Sequence, residues 1–401
     1  MKAKVALASS LLLCFSISEA DPSRIASALQ PYVDKHELAG AVTLVVSRDK
    51  ILSLESIGYA DIAAKKKMQT DAIFWIASMS KPIAASALMM LVDEGKVGLD
   101  DPVQKYLPQF SPRIMAVSGD HTAVQMQKPQ HTITLRLLLT HTSGMPFSSA
   151  IEKPTLDAFP LAVGVQSYSL EALRYEPGSD YQYSNAGINT IGRIIEVVSS
   201  MSYEKFLQTR LFEPLGMKDT TFWPSDAQLT RLAKSYKPDE TARSLEETVI
   251  TQLHYPLNDR KRRFPMPAGG LFSTASDLAK FCQMVLSKGS YQGKRYLSAA
   301  AVEEMTRNQV DLTNMPNREV LTNLNQGYGL GWRTYSSGVF GHTGAYATDL
   351  RIDPKSGIAM VWLVQHAGFL GEGKKGREAF EAAVAEGFAP EADPDTRSSG
   401  L

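Results

Sequence analysis

The sequence predicts an α+β fold, with one antiparallel sheet built from both chain ends, flanked by helices, and a mostly helical inserted region. Three observations predict it. Strand-like runs of β-branched or alternating apolar residues stand near the N-terminus, and three more stand near the C-terminus. Between them, helical apolar spacing alternates with loops marked by Pro and Gly. We find no internal repeat that would suggest another architecture.

The N-terminal elements are a hairpin and a long helix. Residues 41–46 are an apolar β-branched run, Arg48-Asp49-Lys50 interrupts it, and residues 51–57 resume in alternation. That pattern predicts two paired strands. The apolar stretch 74–95 then predicts a helix that ends near its terminal glycine.

The middle of the chain predicts several helices. They cover residues 186–199, 203–211 and 275–287, and Ser273 or Thr274 is suited to cap the last of them. Whether the loop at 110–130, which contains His121, closes over a site is left open by the sequence.

The C-terminal part returns to strands. Residues 338–343, 348–353 and 357–365 predict three neighbouring strands joined by tight turns, and 377–388 predict a closing helix. We therefore expect one domain over 21–388. Its α/β part would comprise about 25–100 and 326–388, and its helical part about 101–325.

Both termini are expected to lie outside that domain. Lys2 and Lys4 precede a short apolar core at 5–17, and Ser18-Glu19-Ala20 supplies small residues for cleavage. This is typical of a signal peptide at 1–20, too short to span a bilayer, so we expect export to the periplasm or outside the cell. No later segment is long and apolar enough for stable membrane insertion. The polar, Pro-containing segment 389–401 predicts a disordered tail.

Composition excludes several functions. The chain has 401 residues, with 42 Lys plus Arg and 42 Asp plus Glu, so its net charge gives no reason to expect a nucleic-acid partner. The seven histidines form no close metal-ligand spacing, and the phosphate-binding Gly-x-x-x-x-Gly-Lys-Ser/Thr pattern is absent, so neither metal nor cofactor is implied. Gly-x-Ser-x-Gly is absent too. Cys282 is the one cysteine of the expected mature chain and reads as a buried apolar residue.

A Ser-x-x-Lys pattern occurs three times, as Ser47–Lys50, Ser78–Lys81 and Ser202–Lys205. Only the second stands at the start of an apolar helix, where free N–H groups and the helix dipole favour developing negative charge. Lys81 lies one turn after Ser78 on the same face. Burial would lower the pKa of Lys81 toward that of a usable base, or leave it charged beside a phenolate. Taken alone, Ser78 is better explained as an N-cap.

Tyr183-Ser184-Asn185 follows a turn cluster and precedes a helix. Such a loop position suits side chains that point into a cleft. The Tyr183 phenol could pass a proton to a leaving group, and the Asn185 amide can both donate and accept hydrogen bonds with a substrate amide. The alternative is a buried tyrosine followed by a helix-capping asparagine.

His342-Thr343-Gly344 lies on a predicted strand. Gly344 would let the backbone approach a ligand closely. The next N–H group, that of Ala345, could form an oxyanion hole with the N–H of Ser78. The alternative is a strand with a bulge glycine and a core histidine.

These three stretches in this order resemble the serine β-lactamase and penicillin-binding-protein superfamily, in particular the relatives of class C β-lactamases that include esterases and DD-peptidases. Three further stretches resemble the same group: residues 137–144 (Leu-Leu-Leu-Thr-His-Thr-Ser-Gly), 267–271 (Pro-Ala-Gly-Gly-Leu) and 327–332 (Gly-Tyr-Gly-Leu-Gly-Trp). The resemblance covers roughly 25–388 and implies a β-lactamase/transpeptidase-like fold.

The resemblance also implies roles. Ser78 would be the nucleophile, Lys81 and Tyr183 the acid/base pair, and Asn185 a substrate-amide contact. His342, Thr343, Gly344 and Ala345 would form the substrate-lining strand edge. Which of Lys81 and Tyr183 first takes the proton is left open, because the two are expected to titrate as a coupled pair.

The substrate is the least determined part. Where most β-lactamases carry a lysine, this chain has His342, which is mostly neutral at pH 7 and should capture a substrate carboxylate more weakly. The first hypothesis is therefore a carboxylesterase-like serine hydrolase acting on a small ester or amide through an acyl-enzyme. The enzymatic alternative is a D-Ala-D-Ala carboxypeptidase or β-lactamase, with a peptidoglycan-derived substrate in the first case. A penicillin-binding or sensor protein without turnover is an alternative of another class.

Overall fold

A computed structural model describes residues 23–119, 124–323 and 325–388. The expected signal peptide, the expected C-terminal tail and His121 lie outside these described residues. Twelve α-helices lie within them: α1 (Arg24–Asp34), α2 (Ser80–Asp93), α3 (Leu135–Leu139), α4 (Leu161–Leu170), α5 (Asn185–Ser199), α6 (Tyr203–Leu207), α7 (Glu213–Leu215), α8 (Asp226–Leu229), α9 (Ala275–Leu286), α10 (Ala299–Thr306), α11 (Glu319–Thr322) and α12 (Gly376–Gly387).

The strands are mostly short outside the first hairpin and the C-terminal part. The described residues contain β1 (Gly40–Val46), β2 (Ile51–Asp61), β3 (Lys66–Lys67), β4 (Phe74–Trp75), β5 (Met115–Gly119), β6 (Val124–Gln127), β7 (Ser235–Asp239), β8 (Ser244–Thr248), β9 (Phe272–Ser273), β10 (Ser290–Tyr291), β11 (Lys294–Arg295), β12 (Gln326–Tyr328), β13 (Arg333–Tyr335), β14 (Phe340–Thr343), β15 (Asp349–Asp353) and β16 (Ile358–Leu363).

Eight strands form one sheet in the order β12-β13-β14-β15-β16-β1-β2-β3. Every neighbouring pair in it is antiparallel. At its centre Leu44 of β1 lies opposite Val361 of β16 on one side and Leu54 of β2 on the other. The first and last strands of the chain therefore meet in one sheet, which confirms the predicted α+β class.

Helices cover both faces of this sheet. On one face α1 and α12 pack over Val45 and Val364, and the rings of Trp362 and Phe380 stack there. On the other face α9 packs against β1 and β16, and Val42 and Leu44 join the larger core. Helix α2 belongs to that core and is buried over most of its length. The side chain of Lys81, in the first turn of α2, is thus removed from water.

The predicted helix at 74–95 is shorter in the structure. Residues 74–75 form β4, a 3₁₀ turn follows at Ala77–Met79, and α2 begins only at Ser80. Ala77 adopts a left-handed backbone conformation with φ 45°, which a helix cannot contain. A short buried apolar run fits a strand as well as a helix, so periodicity could not place this boundary.

Helix α1 was not predicted, because Pro31 lies within it and proline normally argues against a helix interior. The signal was nevertheless present. The hydroxyl of Ser23 accepts a hydrogen bond from the Ala26 N–H, and Ile25, Leu29 and Val33 are buried at helical spacing.

The structure also describes part of the 110–130 segment and the length and apolar character of the helices. The described part of the 110–130 segment is the β5–β6 hairpin, which is joined by a bridge between Met115 and Leu173 to the chain after α4. Among the described residues, no helix has the length and apolar character needed to span a bilayer.

Candidate active site

The 3₁₀ turn before α2 presents Ser78. Its neighbours Ala77 and Met79 are buried, whereas Ser78 is partly exposed. A hydrogen bond from the Ile76 N–H to the Leu271 carbonyl oxygen, at 3.0 Å, fixes the start of this turn. The left-handed conformation of Ala77 then turns the backbone sharply. A strained backbone that lifts one serine toward solvent is typical of a functional site.

The Lys81 side chain is completely buried next to this serine. Its Nζ lies 3.1 Å from Ser78 Oγ, 2.8 Å from Asn185 Oδ1 and 2.7 Å from the Ala268 carbonyl oxygen. The amide and carbonyl oxygens can only accept hydrogen bonds. A neutral amine has two N–H groups for those two acceptors, and its lone pair then remains for the Ser78 hydroxyl. Three N–H groups of an ammonium would match the same three oxygens, so the geometry is compatible with Lys81 in either protonation state.

Electrostatics favours the neutral state. Burial, and secondarily the positive charge of Arg333, hold the pKa of Lys81 well below its ordinary value of 10.5. Within the described residues no carboxylate forms an ion pair with Lys81. The charged form is thus desolvated without a countercharge, which favours the neutral amine.

The Tyr183 ring covers the other side of Lys81, whose Nζ lies 4.5 Å from the ring centroid. Burial raises the pKa of the Tyr183 phenol, and its interaction with the Ser78 hydroxyl lowers it by less. No group in the described part of the chain forms a hydrogen bond of normal geometry with this buried hydroxyl. A phenol kept protonated and unpartnered can donate its proton to a leaving group.

The end of β14 packs directly against the serine turn. A Cβ atom on Gly344 would lie 2.7 Å from the Ile76 carbonyl oxygen and 3.4 Å from the Ala77 Cβ, so only glycine permits this approach. Among the described residues, no group accepts a hydrogen bond from the backbone N–H of Ser78 or from that of Ala345. The strand end that leads to Ala345 thus contacts the turn that carries Ser78, while an oxyanion hole formed by their two N–H groups stays a prediction.

His342 itself points into the core. Its ring is buried, its Nε2 lies 2.9 Å from the Tyr328 hydroxyl and its Nδ1 lies 2.8 Å from the Thr343 carbonyl oxygen. Burial, then the charges of Arg333 and Lys81, lower its pKa well below 6.5. The histidine is accordingly neutral and does not supply the positive charge of the lysine it replaces.

Arg333 was missed in the sequence. It lies on β13 opposite Gly341, and its guanidinium carbon is 5.9 Å from the centroid of the Tyr183 ring. It donates to Gln326 Oε1 at 2.8 Å, while its Nε has no partner among the residues described. It directly follows the Gly-Tyr-Gly-Leu-Gly-Trp stretch, but only the sheet pairing shows that it faces this site.

A pocket lies near Tyr183, although none of the predicted site residues lines it. This pocket of about 500 Å³ is lined by Phe147, Arg174, Asp180 and Gln182, and the Phe147 ring stacks on that of Tyr183. A larger cavity of about 650 Å³, between α10 and strands β13 and β14, contains none of the predicted site residues. In the described residues no group of three or more His, Cys, Asp or Glu side chains is placed to hold a metal ion.

The model of the Beta-lactamase family matches residues 25–384, nearly the whole described chain. The chain belongs to the beta-lactamase family. Its relatives include the uncharacterized protein MT1414 of Mycobacterium tuberculosis, 30% identical over 85% of this chain and 89% of the relative. A putative D-alanyl-D-alanine carboxypeptidase of Salmonella enteritidis is 27% identical over 90% of each chain.

A solved structure supports the same fold. EstCE1, a hydrolase with promiscuous acyltransferase activity, superposes with a TM-score of 0.73 at 24% identity, over 90% of this chain and 97% of its own. This similarity confirms the predicted β-lactamase/transpeptidase-like fold, and the match of the family model confirms the predicted family. The family includes esterase, acyltransferase and DD-peptidase neighbours, so the substrate is not fixed by membership.

Proposed function

We propose that this protein of the beta-lactamase family hydrolyses a small ester or amide through an acyl-enzyme on Ser78. One observation carries the proposal. The buried Lys81 Nζ lies 3.1 Å from Ser78 Oγ, and a neutral amine that gives its two N–H groups to the Asn185 and Ala268 oxygens would turn its lone pair toward the Ser78 hydroxyl. An adjacent base is what activates a serine for nucleophilic attack.

The reaction then follows in four steps. Lys81 accepts the Ser78 proton as Oγ attacks the substrate carbonyl carbon. The N–H groups of Ser78 and Ala345 stabilise the resulting oxyanion. Tyr183 gives its proton to the leaving group and is reprotonated by the ammonium of Lys81. Water, deprotonated by the same amine, finally attacks the acyl carbon; the bond from that carbon to Ser78 Oγ breaks, Lys81 returns the proton to Oγ, and the acid is released.

The remaining predicted residues hold the substrate. The Asn185 amide N–H₂ can donate to a substrate carbonyl while its oxygen holds Lys81. Thr343, half-buried at the end of β14, and the backbone that follows it would line the opposite side. His342 acts within the core.

The test is a turnover assay of the purified protein with p-nitrophenyl butyrate, nitrocefin and a D-Ala-D-Ala peptide. Hydrolysis of the butyrate ester supports the esterase proposal. Turnover restricted to the peptide or to nitrocefin would replace it with the alternative activity. A stable adduct by intact-mass spectrometry, without product release, would favour a penicillin-binding protein that does not turn over.

We expect the acylation rate to rise with pH through the pKa of Lys81. The active form is the neutral amine, and burial lowers its pKa, so the acidic limb of the kcat/KM profile should lie well below pH 10.5. The measurement is kcat/KM for p-nitrophenyl butyrate as a function of pH. A limb at the ordinary lysine value would contradict a buried neutral base.

Arg333 supports the D-Ala-D-Ala carboxypeptidase as a second candidate. The sequence suggested weak carboxylate capture because His342 replaces a lysine, yet the guanidinium of Arg333 carries a permanent charge near Tyr183 and has an unpartnered Nε. Such a group can bind the terminal carboxylate of a peptide. The relative from Salmonella enteritidis carries that activity in its name.

We expect Arg333→Gln to raise KM for the D-Ala-D-Ala peptide by about 10- to 100-fold, the size of a lost charge-assisted hydrogen bond. The KM for p-nitrophenyl butyrate, which has no carboxylate, should change little. Arg48→Gln, on an exposed turn, serves as the matched control. Equal effects on both substrates would show that Arg333 does not select carboxylates.

A further inference from the structure

The hydroxyl of Tyr328 lies buried between two imidazole rings. Its oxygen is 3.0 Å from Nε2 of His141 and 2.9 Å from Nε2 of His342. The other ring nitrogens are also engaged: His141 Nδ1 lies 3.1 Å from the Ser184 backbone nitrogen, and His342 Nδ1 lies 2.8 Å from the Thr343 carbonyl oxygen. One continuous chain of hydrogen bonds thus crosses the core beside the candidate active site.

The direction of this chain follows from its ends. The Ser184 backbone can only donate, so His141 Nδ1 accepts, and a neutral His141 then carries its hydrogen on Nε2. That N–H donates to the Tyr328 oxygen, and the Tyr328 O–H donates onward to His342 Nε2. His342 therefore carries its hydrogen on Nδ1, which donates to the Thr343 carbonyl. The reverse direction would leave His141 without any ring hydrogen.

The surroundings disfavour protonation of either ring. Burial lowers the pKa of each, and the positive charges of Arg333 and of Lys81, when that lysine is protonated, lower it further. In a protonated His141, Nδ1 would also carry a hydrogen, and this N–H would point at the Ser184 N–H, which is itself a donor. With both rings neutral, every polar atom of the chain has a partner, as buried polar groups require.

The two ends of the chain reach the two sides of the cleft. The His141 ring packs on the Tyr183 ring with centroids 4.5 Å apart, and the Ser184 N–H that it binds belongs to the next residue. At the other end the Thr343 carbonyl precedes Gly344, which lies against the serine turn. A single hydroxyl therefore connects the acid/base loop with the strand edge.

We propose that Tyr328 is a positioning residue that fixes His342 as its Nδ1–H tautomer and so orients the Thr343–Gly344 peptide at the edge of the cleft. Its catalytic consequence rests on the proposed function; the tautomer itself does not. Tyr328 has no contact with the reacting atoms and acts through His342. The histidine of the third motif is then a backbone clamp instead of a substrate-binding cation.

The decisive test is ¹⁵N NMR of the histidine rings in the full protein at pH 7. His342 should show a protonated Nδ1 and an unprotonated Nε2, and His141 the opposite pattern. The two are assigned by loss of signals in His342→Gln and His141→Gln. In Tyr328→Phe the His342 pattern should shift toward a mixture of tautomers. A His342 that is doubly protonated, or protonated on Nε2, in the unaltered protein would overturn the proposal.

The functional readout is the rate at which a fluorophosphonate labels Ser78. We expect Tyr328→Phe to slow labelling by about 10- to 100-fold, because small displacements of a catalytic frame have effects of that size. Tyr181→Phe is the matched control. The Tyr181 ring lies 5.9 Å from the Tyr328 ring, but within the described structure the Tyr181 hydroxyl forms no hydrogen bond with Tyr328, His141 or His342.

Labelling also separates this proposal from the proposed function. Absence of labelling in the unaltered protein counts against the acyl-enzyme, while the tautomer pattern still decides the role of Tyr328. Equal slowing by Tyr328→Phe and Tyr181→Phe would indicate general loosening of the aromatic cluster and would overturn a positioning role.

Discussion

Replacing Ser78 with alanine is expected to lower turnover by about 10⁴-fold or more, since removing the nucleophile leaves only the residual effect of binding and the oxyanion hole. The measurement is kcat/KM on whichever substrate the unaltered protein hydrolyses, together with intact-mass detection of the adduct. The side chain is small and partly exposed, so the fold should persist.

The chain supplies its own control for this experiment. Ser202 and Lys205 have the same spacing as Ser78 and Lys81, but Ser202 is exposed and its hydroxyl donates to Glu204 Oε1 at 2.7 Å. Ser202→Ala should therefore leave turnover unchanged. Activity that survives in Ser78→Ala, or that falls equally in both variants, would remove Ser78 as the nucleophile.

Lys81→Met should lower the acylation rate by about 10²- to 10⁴-fold, the range of general base catalysis. Methionine fills the buried volume without a charge, but it leaves the Asn185 and Ala268 oxygens without a donor. Each such loss costs about 1–3 kcal/mol, so the melting temperature should also fall. Rates are measured by stopped-flow acylation, and stability by thermal unfolding of the same samples.

The pH profile separates the base role from a structural one. In Lys81→Met the residual rate should lose the acidic limb that the unaltered protein shows, whereas a merely loosened site would keep it. Lys205→Met, at an exposed position of helix α6, is the control. A Lys81→Met protein with the original pH dependence would transfer the base role to Tyr183.

The sequence predicted the parts of this molecule whose signals are local. The β1–β2 hairpin and the three strands near the C-terminus have periodicity of their own, and the three short motifs could be ordered along the chain. The structure then places Ser78, Lys81, Tyr183 and Asn185 together. Their catalytic roles stay predictions until the variants are measured.

The residues that were missed depend on contacts between distant segments. Arg333 faces the site through the pairing of β13 with β14, and Tyr328 reaches His141 across 187 positions. The 3₁₀ turn at Ser78 depends on the left-handed Ala77, which a non-glycine residue adopts only when surrounding packing enforces it. None of these features leaves a periodic signal.

The position of β1 in the sheet has a consequence for biosynthesis. Val42 pairs with Leu363, and Gly344 must pack against Ile76 before the serine turn is complete. Contacts of such long sequence separation form late and make folding slow. A nascent chain on the ribosome cannot assemble the candidate site in this sheet before Leu363 has been synthesised, so we expect every shorter intermediate to be inactive.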